Sequence, residues 1–513
     1  MSEQTTDRGV SWGWQEAVLE FFSPRAAQQR YSARIASANL RRAYDGAAKG
    51  RLSDGWRTAN TSADSEIRVA GGLLRDRMRD LVRNNALAAQ AVQVLVNNIV
   101  GTGIRPRAAT GKPELDKQID KFWQAWSARC DAHGHTDFHG LTALAVREMI
   151  EGGDLFALRR PRRTRRTSPV PLEIELFEAD HLDGSKFDDS SEGTRISTGI
   201  EYDRTGRRVG YWMFPDHPGD TSPAFRRKFE SIRISAQNVA HLFERQRVQS
   251  RGVPWGTPAI RALQDLGDWQ VAEMVRKKTE ACLVGVVVGE EGDGTAGITP
   301  EVKDSDGKAI ESFRPGMFGY TNGRDIKFNS PANSGGVREW NITQMLIISA
   351  GFRVPYALMT NDMSQANFSS NRAGLNEFRR MVEQVQWSVV IPMFCQRIWD
   401  WFCEAAWTAG LIEQPDIPVE WAPPRFESVN PWQDAQTDLL ETRAGFSSLP
   451  QQIAKRGYDL REVLEEQIKA LKIADELGLV LDSDPRKVTR VGQAQSTSPG
   501  EADTATKPDN PAT

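Results

Sequence analysis

The sequence predicts an α+β fold. Helical-period segments run from about residue 65 to 152, short β-type runs follow over roughly 150–245, and long helices return after residue 257. With 513 residues the chain is too long for one simple core and has room for several domains.

Residues 1–64 are polar, rich in Ala, Arg and Ser, and weakly periodic; they read as a partly disordered arm with one short helix near Trp14 to Phe22. Leu74, Met78, Leu81 and Val82 then recur at helical spacing, and Leu87, Val94, Leu95 and Ile99 continue the pattern. Two helices, or one bent at Asn84–Asn85, fit equally well, with Gly101 as the stop. Glu114 to Ala128 and Leu141 to Glu151 are amphipathic helices, the second ended by Gly152 and Gly153. LFALRR, PLEIELFEADHL, GIEYD, RRVGYWMF and VAHLF are strand-like and separated by turn residues, which predicts an antiparallel sheet.

Pro258 opens a long helix that gives way to the β-type run LVGVVVG near Leu283. Helix resumes at Val337 to Gly351, so two helices bracket a small β-rich insert. A polar, loop-like segment covers Thr360 to Arg372. A helix then runs to about Ala409 with Pro392 inside it, where a kink is expected because proline removes one backbone hydrogen bond and crowds the previous turn. Charged helices follow to about Leu479, and the last thirty residues, rich in Ser, Thr, Pro, Gly and Asp, are expected to be disordered.

Apolar residues make up 39% and charged residues 26%, which are globular values. A net charge of −3 gives no whole-chain signal for nucleic acid. The ends differ: residues 1–110 hold 16 Lys+Arg against 10 Asp+Glu, a net of +6, whereas residues 411–513 hold 11 against 18, a net of −7. Four cysteines make no disulfide framework, and Cys395 and Cys403 should pack as small hydrophobes. The polar start, MSEQTTDRGVSWGW, predicts no secretory leader, and the most apolar helix is interrupted by Gln396, Arg397, Asp400 and Glu404, so no membrane span and a reduced, cytosolic setting are expected. The 15 tryptophans suit interfaces, although core packing is the commoner use of any one of them.

CDAHGHTDFHG, from Cys130 to Gly140, is the strongest candidate for chemistry. Cys130, His133, His135 and His139 offer the ligand atoms a transition metal needs, yet C-x2-H-x-H-x3-H is not a standard zinc spacing. A polar connection with solvent-facing histidines is the better expectation, with no bound metal; a metal-dependent hydrolase or nuclease built on these four residues is the alternative. No Gly-x-Ser-x-Gly elbow, Walker loop or Rossmann glycine pattern occurs, so neither a catalytic set nor a cofactor is expected. RRPRRTRR, Arg159 to Arg166, could grip phosphates, but no aromatic residues interleave it for base stacking, and a solvated hairpin tip is favoured. Arg276, Lys277 and Lys278 form a second basic group, on a long helix, which could face DNA or be solvated.

The order and spacing of LRDRMRDLVRNNALAAQAVQVLVNNIVGTGIRP, EGGDLFALRR, RGVPWGTPAIRAL, GFRVPYALM, NFSSNRAGLNEFRR and GFSSLPQQIAKRGYDLREVLEEQ resemble the lambda-type family of tailed-phage portal proteins. The resemblance spans most of the chain, about residues 65–480. It implies a non-enzymatic ring, a dodecamer, at one capsid vertex of a virion or prophage-encoded particle, assembled in the host cytoplasm. Double-stranded DNA would pass through the ring during packaging and exit. The implied partners are the terminase large subunit, the major capsid and scaffold proteins, and the head-tail connector proteins.

The resemblance also implies a division of the chain. The wing would be 65–255, the stem helices 256–282 and 336–359, and the clip 283–335. A tunnel loop at 360–372 would precede a long kinked helix and wing strand at 373–432, a crown at 433–481 and a disordered tail at 482–513. Ser364, Gln365, Asn367, Ser369, Ser370, Asn371 and Arg372 would then meet DNA in the tunnel loop. Arg276, Lys277 and Lys278 would line the channel from the stem. Phe313, Met317, Phe318 and Tyr320 would form the clip's terminase and connector interface, unless they pack within the insert's own core.

Overall fold

A computed structural model describes residues 60–481 except 163–168, 190–192, 221–229, 365–367, 425, 427–430, 456–457, 459 and 480, and between 282 and 335 it describes three strands only. The expected helix near Trp14 and the tail at 482–513 lie outside the described residues. All elements below belong to the compact unit that begins at Ala63.

The fold is α+β. Helices α1 (Ala63–Asn84) and α2 (Ala86–Ile99) are separate, and the break has a clear cause. Asn85 adopts an extended backbone and its side chain accepts the N–H groups of Leu87 and Ala88, capping α2. The chain crosses β1 (Arg105–Ala108) into α3 (Pro113–Ser127) and α4 (Phe138–Glu151). Gly152 caps α4, and Gly153 follows at φ +89°, the left-handed turn that glycine supplies without steric cost.

The expected single sheet is two. The first joins β2 (Asp154–Pro161), β3 (Leu172–Glu178) and β9 (Val239–Phe243) in the order β3-β2-β9. The second runs in order from β4 (Asp188–Asp189) through β5 (Arg195–Ser197), β6 (Ile200–Tyr202) and β7 (Arg208–Met213) to β8 (Ile232–Ser235). Both are antiparallel. β2 is buried on both faces along its first five residues, because the helices cover one side and the second sheet the other. Phe156, Tyr211 and Met213 belong to the smaller core between the sheets.

The main core centres on aromatic rings from distant segments. Trp123 stands 5.0 Å from Trp126, 5.0 Å from Phe138 and 5.1 Å from both Trp399 and Phe402, ring centre to ring centre. Trp126 Nε1 donates to Leu172 O at 2.8 Å, so the indole is buried with its polar edge satisfied. Core use holds for these tryptophans, whereas Trp387, Trp407 and Trp432 are exposed. Cys395 and Cys403 are buried, as expected, and burial pushes the Cys403 thiol up to about 12.

Beyond the sheets, a 3-10 turn at Thr257–Ala259 leads into α5 (Ile260–Ala281). Strands β10 (Gly285–Val288), β11 (Phe318–Gly319) and β12 (Asp325–Phe328) form a separate sheet in the order β11-β10-β12. Helix α6 (Val337–Phe352) returns antiparallel to α5, with the tilted rings of Trp269 and Trp340 4.2 Å apart and Gly351 close against Ala259. The expectation of a helix over 336–359 needs correction. Arg353, in the left-handed region at φ 60°, and Pro355 interrupt it before the short α7 (Tyr356–Thr360).

Helix α8 (Phe368–Val385) continues without interruption into a π-helical stretch, Gln386–Cys395, and then into α9 (Gln396–Thr408). The widened stretch holds Pro392, and the Gln396 N–H reaches Ile391 O, five residues back. A wider turn takes up a residue whose ring would clash in α-helical register. β13 (Val419–Ala422) pairs with β1, and α10 (Pro431–Ala444), α11 (Leu449–Lys455) and α12 (Leu460–Glu476) complete the described chain. Among the described residues no helix is long and apolar enough to cross a membrane.

Candidate functional site

The polar segment after α7 is anchored at its start. Arg353 makes a bidentate pair with Glu244 at 2.7 and 3.0 Å and lies over the Trp255 ring at 4.9 Å. Asn361, at φ 57°, ends α7. The Asp362 carboxylate accepts the Ser364 N–H at 2.9 Å and the Tyr356 hydroxyl at 3.1 Å. The Ser364 bonds hold this carboxyl below its usual range. Met363 and Ser364 are exposed.

The predicted loop over 360–372 is too long. Thr360 closes α7, and Ser369, Ser370, Asn371 and Arg372 are in the first turns of α8. Leu375, Phe378, Val382 and Val385 set a helical stripe whose period extends back to Phe368, and three of them are buried. The described residues outside helix between α7 and α8 are Asn361 to Ser364, and Gln365 and Asn367 lie outside the described residues. Arg372 is not a free cation: its guanidinium pairs with Asp434 of α10 at 3.3 Å.

At the end of α5, Arg276 pairs with Glu273 at 2.6 Å, and Lys277 and Lys278 are exposed. Cations in a last helical turn are favoured by the helix dipole. Phe318 lies on β11, and Phe313, Met317 and Tyr320 lie outside the described residues.

The cluster at 130–139 folds as a turn. Asp131 accepts the backbone N–H groups of His133, His135 and Thr136 at 3.0, 2.8 and 3.2 Å. These bonds outweigh burial and hold its carboxyl below the usual range. Cys130 is buried with its thiol pushed up by desolvation, and its carbonyl accepts the Ile174 N–H at 2.7 Å. His133 is 60% exposed. His139 packs under Gly103, where an added Cβ would fall 2.2 Å from Nδ1, and burial lowers its pKa. No three of these four ligand groups converge within 4.8 Å, so the alternative reading as a metal-dependent hydrolase has no centre here.

Of RRPRRTRR, Arg159 to Pro161 end β2, which pairs with β3 so that Pro161 lies opposite Leu172, and 163–166 lie outside the described residues. Arg159 pairs with Glu404, Arg160 with Glu175 and Arg162 with Glu173, so its first half is neutralised by structural partners.

Two charged groups went unnoticed in the sequence. In the first, Asp154 receives His241 Nε2–H at 2.9 Å, Arg251 Nε–H at 2.6 Å and the Gly252 N–H at 2.6 Å. Arg208 donates to His241 Nδ1 at 2.9 Å, which fixes the neutral tautomer. Phe156 and Phe243 stack on the imidazole at 4.3 and 4.4 Å. Burial pushes His241 down to about 4, while Arg251 and His241 outweigh burial and hold Asp154 below the carboxylate range. His241 is the middle residue of VAHLF, and its place between two apolar neighbours on one face was the available signal.

In the second group, Arg79 reaches Glu148, Glu178 and Asp180 at 2.5, 2.7 and 2.6 Å, and Arg75 adds a bond to Asp180 at 3.1 Å. Burial raises Glu148 to about 7 against the pull of Arg79. Glu178, Asp180 and His217 could converge on a cation, but Arg79 already occupies the two carboxylates. Both networks tie distant elements together; Asp154 and His241 are buried, whereas the Glu178 side chain is half exposed.

The family model and the two phage relatives point to one family. The family model described as "Phage portal protein, lambda family" matches residues 49–386. A probable portal protein of Halomonas phage phiHAP-1 is 24% identical over 476 residues, covering 86% of this chain and 88% of the relative. A portal protein of Escherichia phage N15 is 20% identical, covering 81% and 87%. Among solved structures, a chain in the neck of an empty GTA particle is 15% identical with a TM-score of 0.44, covering 79% of this chain and 97% of that one. With more than half of its length matched by the family model, this chain belongs to the lambda family of phage portal proteins.

Proposed function

We propose that copies of the chain close into a ring, a dodecamer, at one capsid vertex, and that double-stranded DNA passes through its centre during packaging and exit. The observation that carries this reading is the family match, which runs unbroken from residue 49 to 386. The terminase large subunit, the major capsid and scaffold proteins and the head-tail connector proteins are the proposed partners, met in the host cytoplasm during assembly and retained in the virion where structural. The chain itself performs no chemistry in this reading.

The division of labour follows the elements. The wing is 65–255, with the strand β13 returning to it. α5 and α6 are the stem, 283–335 is the clip, and 433–481 is the crown. The segment at 361–367, polar and poor in cations, faces DNA; a surface that lets a duplex slide should not grip phosphates tightly. Lys277 and Lys278 give the stem end a modest positive character toward the same duplex.

Native mass spectrometry of the purified full-length chain tests the ring. Particles near twelve times 57.2 kDa are expected, and a monomer at micromolar concentration overturns the reading. Phe318→Asp is expected to leave the ring mass unchanged and weaken terminase capture. Unfolding instead would place Phe318 in the insert's own core.

A further inference from the structure

Two clefts lie along one face of the continuous helix that runs from the π-helical stretch into α9, where it meets the 3-10 turn Ala236–Asn238. Pro392, Met393 and Arg397 line the first, of about 330 Å³, and Trp401, Ala405 and Thr408 line the second, of about 440 Å³. Met393, Arg397, Trp401, Ala405 and Thr408 are spaced by three or four residues, which sets them in a row on one helix face. A saddle divides the two clefts. There the Arg397 guanidinium lies over the Trp401 ring at 5.7 Å and donates to Ala236 O at 3.1 Å and Gln237 O at 3.0 Å. Trp401 Nε1 donates to Gln237 O at 2.9 Å, so the turn is pinned to the helix between the clefts.

The first cleft is cationic. It is lined by two guanidinium groups, Arg208 and Arg397, and by no carboxylate. Among the described residues Arg208 bonds neutral groups only: the Tyr211 hydroxyl at 3.5 Å, His241 Nδ1 at 2.9 Å and Ser250 O at 3.0 Å. The Asp154 charge stands behind His241 and is already matched by Arg251. Arg397 donates through Nη2 alone, and its Nε and Nη1 have no hydrogen bond among the described residues. A guanidinium with donors to spare in a partly closed site selects a carboxylate, which it can hold bidentate. The second cleft has a different character. Arg159, Arg160 and Arg162 border it, but each is matched by its own glutamate. Pro161, Pro171, Leu172 and Ala405 give it apolar walls that suit an aliphatic side chain.

This order of charge and apolar surface selects the guest. A DNA duplex does not enter clefts of this size. A single strand would need an exposed ring to stack on, and Trp401 is buried. An extended polypeptide fits: the path from Pro392 to Thr408 along the helix is roughly 20 Å, the reach of about six extended residues.

We propose that this groove binds an extended acidic segment of a partner polypeptide, with a carboxylate at Arg208 and Arg397 and an aliphatic side chain in the cleft beside Trp401. The inference stands apart from the ring reading, because every residue it uses belongs to one chain.

The test is fluorescence anisotropy of a fluorescein-labelled octapeptide of alternating glutamate and leucine, titrated with the full-length chain, with the particle mass read by native mass spectrometry in the same buffer. Saturable binding is expected, about tenfold tighter than for the counterpart with glutamine in place of glutamate, and weakened by salt. Arg397→Gln should lower the affinity about tenfold. Thr408→Trp, at an exposed position, should block the second cleft and lower it several-fold without changing the melting temperature. Because Arg397 also pins the turn, Thr408→Trp carries the test if Arg397→Gln does not fold. No binding of the acidic octapeptide, equal affinity for its glutamine counterpart, or an affinity unmoved by Thr408→Trp would each overturn the proposal. So would an oligothymidylate that displaces the peptide and binds more tightly, since the guest would then be a nucleic acid. Monomers that bind the peptide would support the groove and overturn the ring reading; particles of ring mass that do not bind it would do the reverse.

Discussion

Asp154 is a buried charge held by one cation, a neutral imidazole N–H and a backbone N–H, and such a group stabilises only while its partners remain. Asp154→Asn should therefore cost on the order of 3 kcal/mol in equilibrium unfolding, because Arg251 loses its counter-charge in a desolvated site. His241 gives a pH signature with a definite sign. Its folded pKa is about 4 against 6.5 in the unfolded chain, so the unfolded state takes up the proton first. Its contribution is complete above pH 6.5 and is lost as pH falls toward 4, by an amount on the order of 3 kcal/mol. Glu148 runs the other way: its folded value is about 7 against 4.5, so its contribution is present below pH 4.5 and lost as pH rises through 7. The two slopes oppose each other in the wild type, and the difference between wild type and His241→Phe isolates the first. Melting temperatures between pH 4 and 6.5 should converge for the two proteins as pH falls; parallel curves would mean that His241 does not titrate in that window.

At the scale of elements, the turn between α4 and β2 meets the loop before α5. Gly153 sits at φ +89° with its Cβ position 2.9 Å from the Val253 backbone, and a Cβ on Gly252 would fall 2.0 Å from Gly153 O. Backbone on backbone leaves nothing that can rotate away. Gly153→Ala should cost about 2 kcal/mol or more, read as a lowered unfolding midpoint, whereas Gly111→Ala meets open space and carries only the positive-φ strain.

EGGD shows in the sequence that a helix ends there, but the approach of 252 to 153 is a long-range fact that no local pattern carries. The same holds elsewhere. The amphipathic period of α3 and α4 was legible because burial on one face leaves its mark in sequence, and β2 and β9, buried on both faces, were legible as short apolar runs between turn residues. The split into two sheets was not, since strand pairing is a long-range contact that no local pattern carries. The start of α8 was misread because SQANFSSNR is polar, and a polar helical turn has the same composition as a loop. The histidines at 133 and 135 read correctly as surface groups, while His139 and His241 are packed beneath glycine and phenylalanine, which only tertiary contact decides.

At the scale of the whole molecule, the proposed ring would need one segment of the chain to meet DNA without holding the fold together. The segment at 361–367 is short, polar and tied down at one end by Asp362. Its anchor does not depend on it: Arg353 is fixed by Glu244 and Trp255, and Arg372 by Asp434. Replacing 364–367 by two glycines should therefore leave α7 and α8 folded and the ring mass unchanged. If the segment meets the duplex, the same replacement should lower the amount of DNA retained in filled particles, measured as nuclease-protected DNA per capsid, with packaging initiation intact. Loss of the ring would show that the segment is an assembly contact. Unchanged DNA retention with an intact ring would remove it from the channel and move the DNA-facing surface to the cationic end of α5, where Lys277→Ala and Lys278→Ala would be the next variants to score by the same protected-DNA measure.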